Sequence, residues 1–148
     1  MNKLPAIITS IQQSGAILLV DAEVQGQGFS ALLIESANRP KWLETGKPVD
    51  LVFKETEVSL AKNLSGQISM RNRMKCSVLA IDRGDLLSKI ELNFKNNIIT
   101  SAITTRSVDS LKLEIGDEVE ALVKANEVSL MKKWSEDRSP ETEVGRPK

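Results

Sequence analysis

The chain repeats itself without a gap. Residues 43–62 read LETGKPVDLVFKETEVSLAK and residues 113–132 read LEIGDEVEALVKANEVSLMK, and ten of these twenty positions coincide at a constant offset of 70. Ordinary amino-acid usage gives about one coincidence in such a comparison. The same offset aligns Ala6-Ile7-Ile8 with Cys76-Ser77-Val78, Asn2 with Asn72, Leu4 with Met74 and Ile11 with Ile81. Two copies of one unit therefore fill residues 1–64 and 65–134. A unit of that size has a marginal core, so the copies are expected to pack on each other, on a second chain, or on both. Residues 135–148 lie outside the repeat and carry almost no large apolar side chains, which reads as a disordered tail.

Within each unit the hydrophobic spacing is that of strands. Val20, Ala22 and Val24 alternate with Asp21 and Glu23, as Ile90, Leu92 and Phe94 do with Glu91 and Asn93. Turn residues follow at Gln25–Gly28 and Lys95–Asn97, and the chain returns over Phe29–Ile34 and Ile98–Ile103. Val49–Lys54 and Val119–Lys124 read as further strands, with shorter ones at Val58–Leu60 and Val128–Leu130. Ser107–Leu111 reads as a short helix with Ser107 as its N-cap, and Gly46 and Gly116 suit the turns beyond. Five strands and one helical turn per unit predict an all-β chain: two tandem small barrels of OB type, each with one short helix.

The composition removes most chemistries. There is no His, hence no imidazole base and no imidazole metal ligand. The single Cys76 rules out an internal disulfide and Cys-rich metal sites, and it aligns with Ala6 as a core position. Asp117 and Glu118 resemble a catalytic acid pair, but Lys47 and Pro48 stand opposite them, and no nucleophile–base pair can be assembled; no enzyme is expected. Twenty basic residues balance twenty acidic ones, and Phe29, Phe53 and Phe94 fall at core-like positions. An OB-type nucleic-acid binder needs a basic groove and exposed stacking platforms, so direct nucleic-acid binding is not expected. Trp42 and Trp134 are not repeat-equivalent and are expected to cover barrel ends. Apolar runs such as Ala16–Val20 are too short to span a bilayer, and Met1–Pro5 lacks the apolar stretch of a secretory leader; a cytoplasmic protein is expected.

What remains is a set of hydrogen-bond donors. Ser69, Arg71 and Asn72 join the two units, Thr104 and Ser107 set two hydroxyls three apart at the helix start, and Lys124 ends a strand before the small Ala125. Donors of this kind suit a compact oxyanion, whose oxygens each accept several bonds.

These residues resemble the Mop, or TOBE, domain family in its tandem form. The resemblance is carried by Ser69-x-Arg71-Asn72-x-Met74, by Ala102-Ile103-Thr104-x-x-Ser107, and by Leu113-x-x-Gly116-Asp117-Glu118-Val119-x-Ala121-x-Val123-Lys124-Ala125-x-x-Val128. It covers residues 1–133, most strongly 69–130, and departs at Cys76, where the family has Gly. The resemblance implies binding of molybdate or tungstate as the oxyanion, with no organic cofactor and no protein-held metal, for storage, homeostasis or sensing. By position it implies Ser69, Arg71, Asn72, Thr104, Ser107, Lys124 and the Ala125 N–H as ligands, with Lys54 a weaker candidate. It further implies a homo-oligomer, dimer or trimer, with sites at subunit or repeat interfaces. The first unit departs from the pattern: no Ser-x-Arg precedes Asn2, Ile34 and Ala37 replace Thr104 and Ser107, and Glu55 follows Lys54. The second unit is thus expected to carry most of the site. The rival reading is a TOBE-like dimerisation or regulatory module, without ligand, of a transcription regulator or a transporter ATPase. No Walker A loop occurs, and the first repeat strand begins by residue 5, so neither a whole ATPase nor a whole repressor is expected.

Overall fold

The computed structural model describes residues 1–34 and 39–133. Ten strands run β1 (Asn2–Ser14), β2 (Ile17–Val24), β3 (Gln27–Ile34), β4 (Pro48–Phe53), β5 (Ser59–Ala61), β6 (Asn72–Asp82), β7 (Leu87–Phe94), β8 (Asn97–Thr104), β9 (Glu118–Val123) and β10 (Ser129–Lys132). One helix, α1 (Thr105–Leu111), follows β8, and single 3-10 turns at Glu55–Glu57 and Ala125–Glu127 follow β4 and β9. The chain is all-β, two tandem OB-like barrels. Strict alternation builds the inner faces: Leu4, Ala6 and Ile8 on β1 are buried, as are Met74, Cys76 and Val78 on β6, while their neighbours face outward.

The hairpins turn where the sequence permits a left-handed backbone. Gln25 and Gly26 (φ 48° and 84°) link β2 to β3, and Lys95 and Asn96 (φ 49° and 68°) link β7 to β8. Two successive positive φ values match the twist of the flanking strands. Gly116 (φ 95°) donates from its N–H to the Val78 carbonyl at 2.8 Å, and Gly46 (φ 91°) does the same to Ile8 at 2.8 Å.

Each barrel takes its fifth strand from the other repeat. The sheet orders are β10-β4-β1-β2-β3 and β5-β9-β6-β7-β8. Leu130 of the second repeat lies opposite Leu51 of the first, and Leu60 of the first lies opposite Ala121 of the second. A 3-10 turn precedes each exchanged strand, at the point where the chain passes to the neighbouring barrel. Exchange merges two marginal cores into one buried cluster, in which Phe29 and Phe94 meet edge to face with centroids 6.0 Å apart. Two side-chain amides lock the same interface. Asn72 is fully buried; its Oδ1 accepts from Ser30 N at 2.8 Å and its Nδ2 donates to Ser30 O at 2.9 Å. Asn2 makes the same pair with Thr100, at 2.8 and 2.9 Å.

The helix starts earlier than its sequence signal. Thr104, extended at φ −67° and ψ 147°, is the N-cap, and its Oγ1 accepts from Ser107 N at 3.1 Å. Ser107 is therefore the third residue of α1 and not its cap, because Thr104 offers the same hydroxyl one turn sooner. In the first repeat, residues 39–42, aligned with the second half of α1, are not helical. Trp42 is half-buried and packs on the core; Ala37, Trp134 and the tail 135–148 lie outside the described residues.

Candidate functional site

The pairing of β6 with β9 brings part of the expected donor set together. Asn72 opens β6 opposite Val123, the last residue of β9, so Arg71 and Lys124 flank the same end of that strand pair. Lys124 stays extended (φ −70°, ψ 147°) and its carbonyl accepts from Glu127 N at 2.9 Å, closing the turn that Ala125 begins. The Ala125 N–H heads that turn, where the turn's own bonds do not use it. Arg71, Lys124 and Ser69 are exposed, and among the described residues none of the three side chains has a hydrogen-bond or ion-pair partner. Two unpaired cations beside a free N–H form a positive corner that can take an anion.

Asn72 is adjacent but differently employed. Both ends of its amide are engaged by Ser30, so it fixes the corner to β3 of the first repeat. The signal was present in the sequence: the first repeat lacks Ser-x-Arg yet keeps an Asn at position 2.

Thr104 and Ser107 are brought to each other but not to Lys124. Their hydroxyls lie 2.8 Å apart. Thr104 ends β8 opposite Leu87, the start of β7, whereas Lys124 follows the end of β9 beside the start of β6. Those are different strand ends, and among the described residues no hydrogen bond or shared cavity joins Thr104 or Ser107 to Lys124.

Strand exchange decides what each half faces. The turn Ala125–Glu127 packs on β3, and the turn Glu55–Glu57 packs on β8. Ser107 lines a cavity of about 350 Å³ with Ser59, Leu60, Ile103, Ser110 and Leu111. The equivalent cavity near Lys124, about 610 Å³, is apolar on the first-repeat side, with Leu32, Ile34 and Trp42 opposite Asn126 and Leu130. Lys54 occupies the first repeat's version of the Lys124 position, and sequence reasoning did not find what surrounds it. Glu55 Oε2 lies 3.5 Å from the Met1 ammonium, and Oε1 lies 3.5 Å from Lys89 Nζ.

Other charges near the second corner are already paired. Arg73 binds Glu120 through two bonds of 3.0 and 2.7 Å, which hold the Glu120 carboxyl below its ordinary range. Lys62 reaches Asp117 at 3.0 Å and, with the Glu114 N–H, lowers that carboxyl as well. Burial pushes the Cys76 thiol up to about 12, so it is neutral and unreactive at physiological pH. No group of three His, Cys, Asp or Glu side chains among the described residues is disposed to hold a metal ion, and no described helix is long and apolar enough to cross a membrane.

Residues 68–130 match the TOBE domain. A probable molybdenum-pterin-binding protein of Haemophilus influenzae is 32% identical over 63 residues, 42% of this chain and 91% of that protein. The chain belongs to the TOBE domain family. A structure of the cytoplasmic molybdate-binding protein ModG, with molybdate bound, superposes with a TM-score of 0.84 at 27% identity, covering 89% of this chain and 96% of that one. The molybdenum import ATP-binding protein ModC of Brucella abortus (strain 2308) is 38% identical over 126 residues, 72% of this chain and 35% of ModC. This TOBE chain thus spans about a third of the length of the ModC protein.

Proposed function

We propose that this chain binds molybdate or tungstate in the cytoplasm, as the intact oxyanion, for storage, homeostasis or sensing. The observation that carries the reading is the corner formed by Arg71, Lys124 and the Ala125 N–H, positive and unpaired among the described residues. The likeness to ModG along most of both chains supports it. The metal arrives wrapped in its own oxygens, so the protein supplies donors and no metal ligands, which suits a chain without His. Ser69, Arg71, Lys124 and Ala125 hold the anion from one side, with Asn72 as the residue that positions them. Thr104 and Ser107 share no bond or cavity with Lys124 among the described residues, and in this reading they complete the site from a second copy of the chain. The site is accordingly one of a homo-oligomer. Its chemistry is binding and not catalysis.

Isothermal titration with molybdate, with sulfate and phosphate as controls, tests the reading. Tight uptake of molybdate without a sulfate response is expected. Silence with every anion overturns it and favours the assembly module, for which the replacement of Thr104 and Ser107 by Ile34 and Ala37 in the first repeat speaks.

A further inference from the structure

The two corner turns share one backbone. Lys54 (φ −77°, ψ 150°) leads into Glu55–Glu57 as Lys124 (φ −70°, ψ 147°) leads into Ala125–Glu127. Where the second turn opens with Ala125, the first opens with Glu55, and that carboxylate does not lie free. Each of its oxygens has its own cation, the Met1 ammonium on one and Lys89 on the other, both at 3.5 Å. Lys89 comes from β7 of the second repeat, opposite Ala102, so the arrangement depends on the exchange that packs the first turn on β8. Lys54, next in the chain, has no side-chain partner among the described residues. Two cations thus face the carboxylate, and Lys54 adjoins it in the chain, where the other corner has only a methyl group.

We propose that Glu55 is a built-in anion that closes the first-repeat corner to oxyanions. Its carboxylate takes the cations that a bound oxyanion would take, and it repels any dianion that approaches. Removing that charge frees Met1 and Lys89 from the carboxylate they share, while the Glu57 carboxylate stays on the Lys54 N–H, and the corner becomes a second site for a tetrahedral dianion. The inference rests on the oxyanion reading given above.

The test uses the full chain and sodium molybdate, with sodium sulfate as control. Glu55→Gln and Glu55→Ala are each made in the wild-type chain and in a Lys124→Ala chain, and circular dichroism checks the fold of each. Expected is a second binding step in the Glu55 variants, with a saturating molybdate-to-chain ratio above that of wild type. In the Lys124→Ala chain the Glu55 substitution restores uptake, and adding Lys89→Met removes it again. If wild type takes up molybdate but the Glu55 variants show no further uptake, Glu55 closes nothing and the oxyanion reading stands. If wild type is silent and the Glu55 variants bind, the second-repeat site falls and the role of Glu55 is upheld. Silence in every chain overturns both.

Discussion

At the second repeat's corner Lys124 is followed by Ala125, with Arg71 alongside and no carboxylate paired to either cation among the described residues. At the first repeat's corner Lys54 is followed by Glu55, whose oxygens are both taken by cations. Yet the two share backbone angles, exchanged strands and buried asparagine locks. The framework and the anion chemistry are therefore separable. The framework is needed twice, because each barrel needs the other's fifth strand; the donors are needed only where an anion sits.

The widest difference between the corners is expected in a pair of lysine substitutions. Lys124→Ala removes a charge-assisted contact to a dianion, for which about 2–3 kcal/mol, a weakening of roughly 30- to 150-fold, is expected. Lys54→Ala should leave molybdate affinity at the wild-type value. Titrating the two variants side by side checks this, and equal losses would break the asymmetry between the corners.

A smaller effect should be equal on both sides. Asn2→Ala and Asn72→Ala each strip two partners from a backbone segment of the other repeat, and each is expected to cost about 2 kcal/mol of stability. Urea unfolding monitored by circular dichroism measures both. If only Asn72→Ala matters, the lock is not a feature of both repeats, and Asn72 has a further role at the anion corner.

The strands and hairpins were legible because a half-buried strand writes its period of two into the sequence. The strand exchange was not. β5 and β10 both carry Ser-Leu after Val58 or Val128, so either is locally suited to either barrel, and near-identical repeats hide the swap. The neighbourhood of Arg71 and Lys124 followed from the repeat motif. The separation of Thr104 from Lys124 did not, since spacing along the chain does not tell which strand ends lie together. Glu55 could be read as unfavourable to a dianion, but Lys89 reaches it only through the exchange, which joins residues 34 positions apart.

The smallest expected effect concerns acid. Asp109, Asp117 and Glu120 are held below the ordinary carboxylate range, by Arg83, by Lys62 with the Glu114 N–H, and by Arg73 respectively. All three lie in the second repeat. A carboxyl with a lowered folded-state pKa binds its proton more readily once unfolded. Its contribution is fully present above the unfolded value, about 4, and is lost as pH falls through the folded one. Acid should therefore loosen the barrel built on β6 and β9 first. Hydrogen exchange at successively lower pH should show protection in Asn72–Asp82 and Glu118–Val123 falling before that in Asn2–Ser14 and Pro48–Phe53. Glu120→Gln should flatten that dependence, because it removes the most enclosed of the three titrating carboxyls while keeping the side chain's shape. Simultaneous loss in both barrels would instead mean that the exchanged strands couple them into one cooperative unit, and the electrostatic difference between the repeats would then have no local consequence.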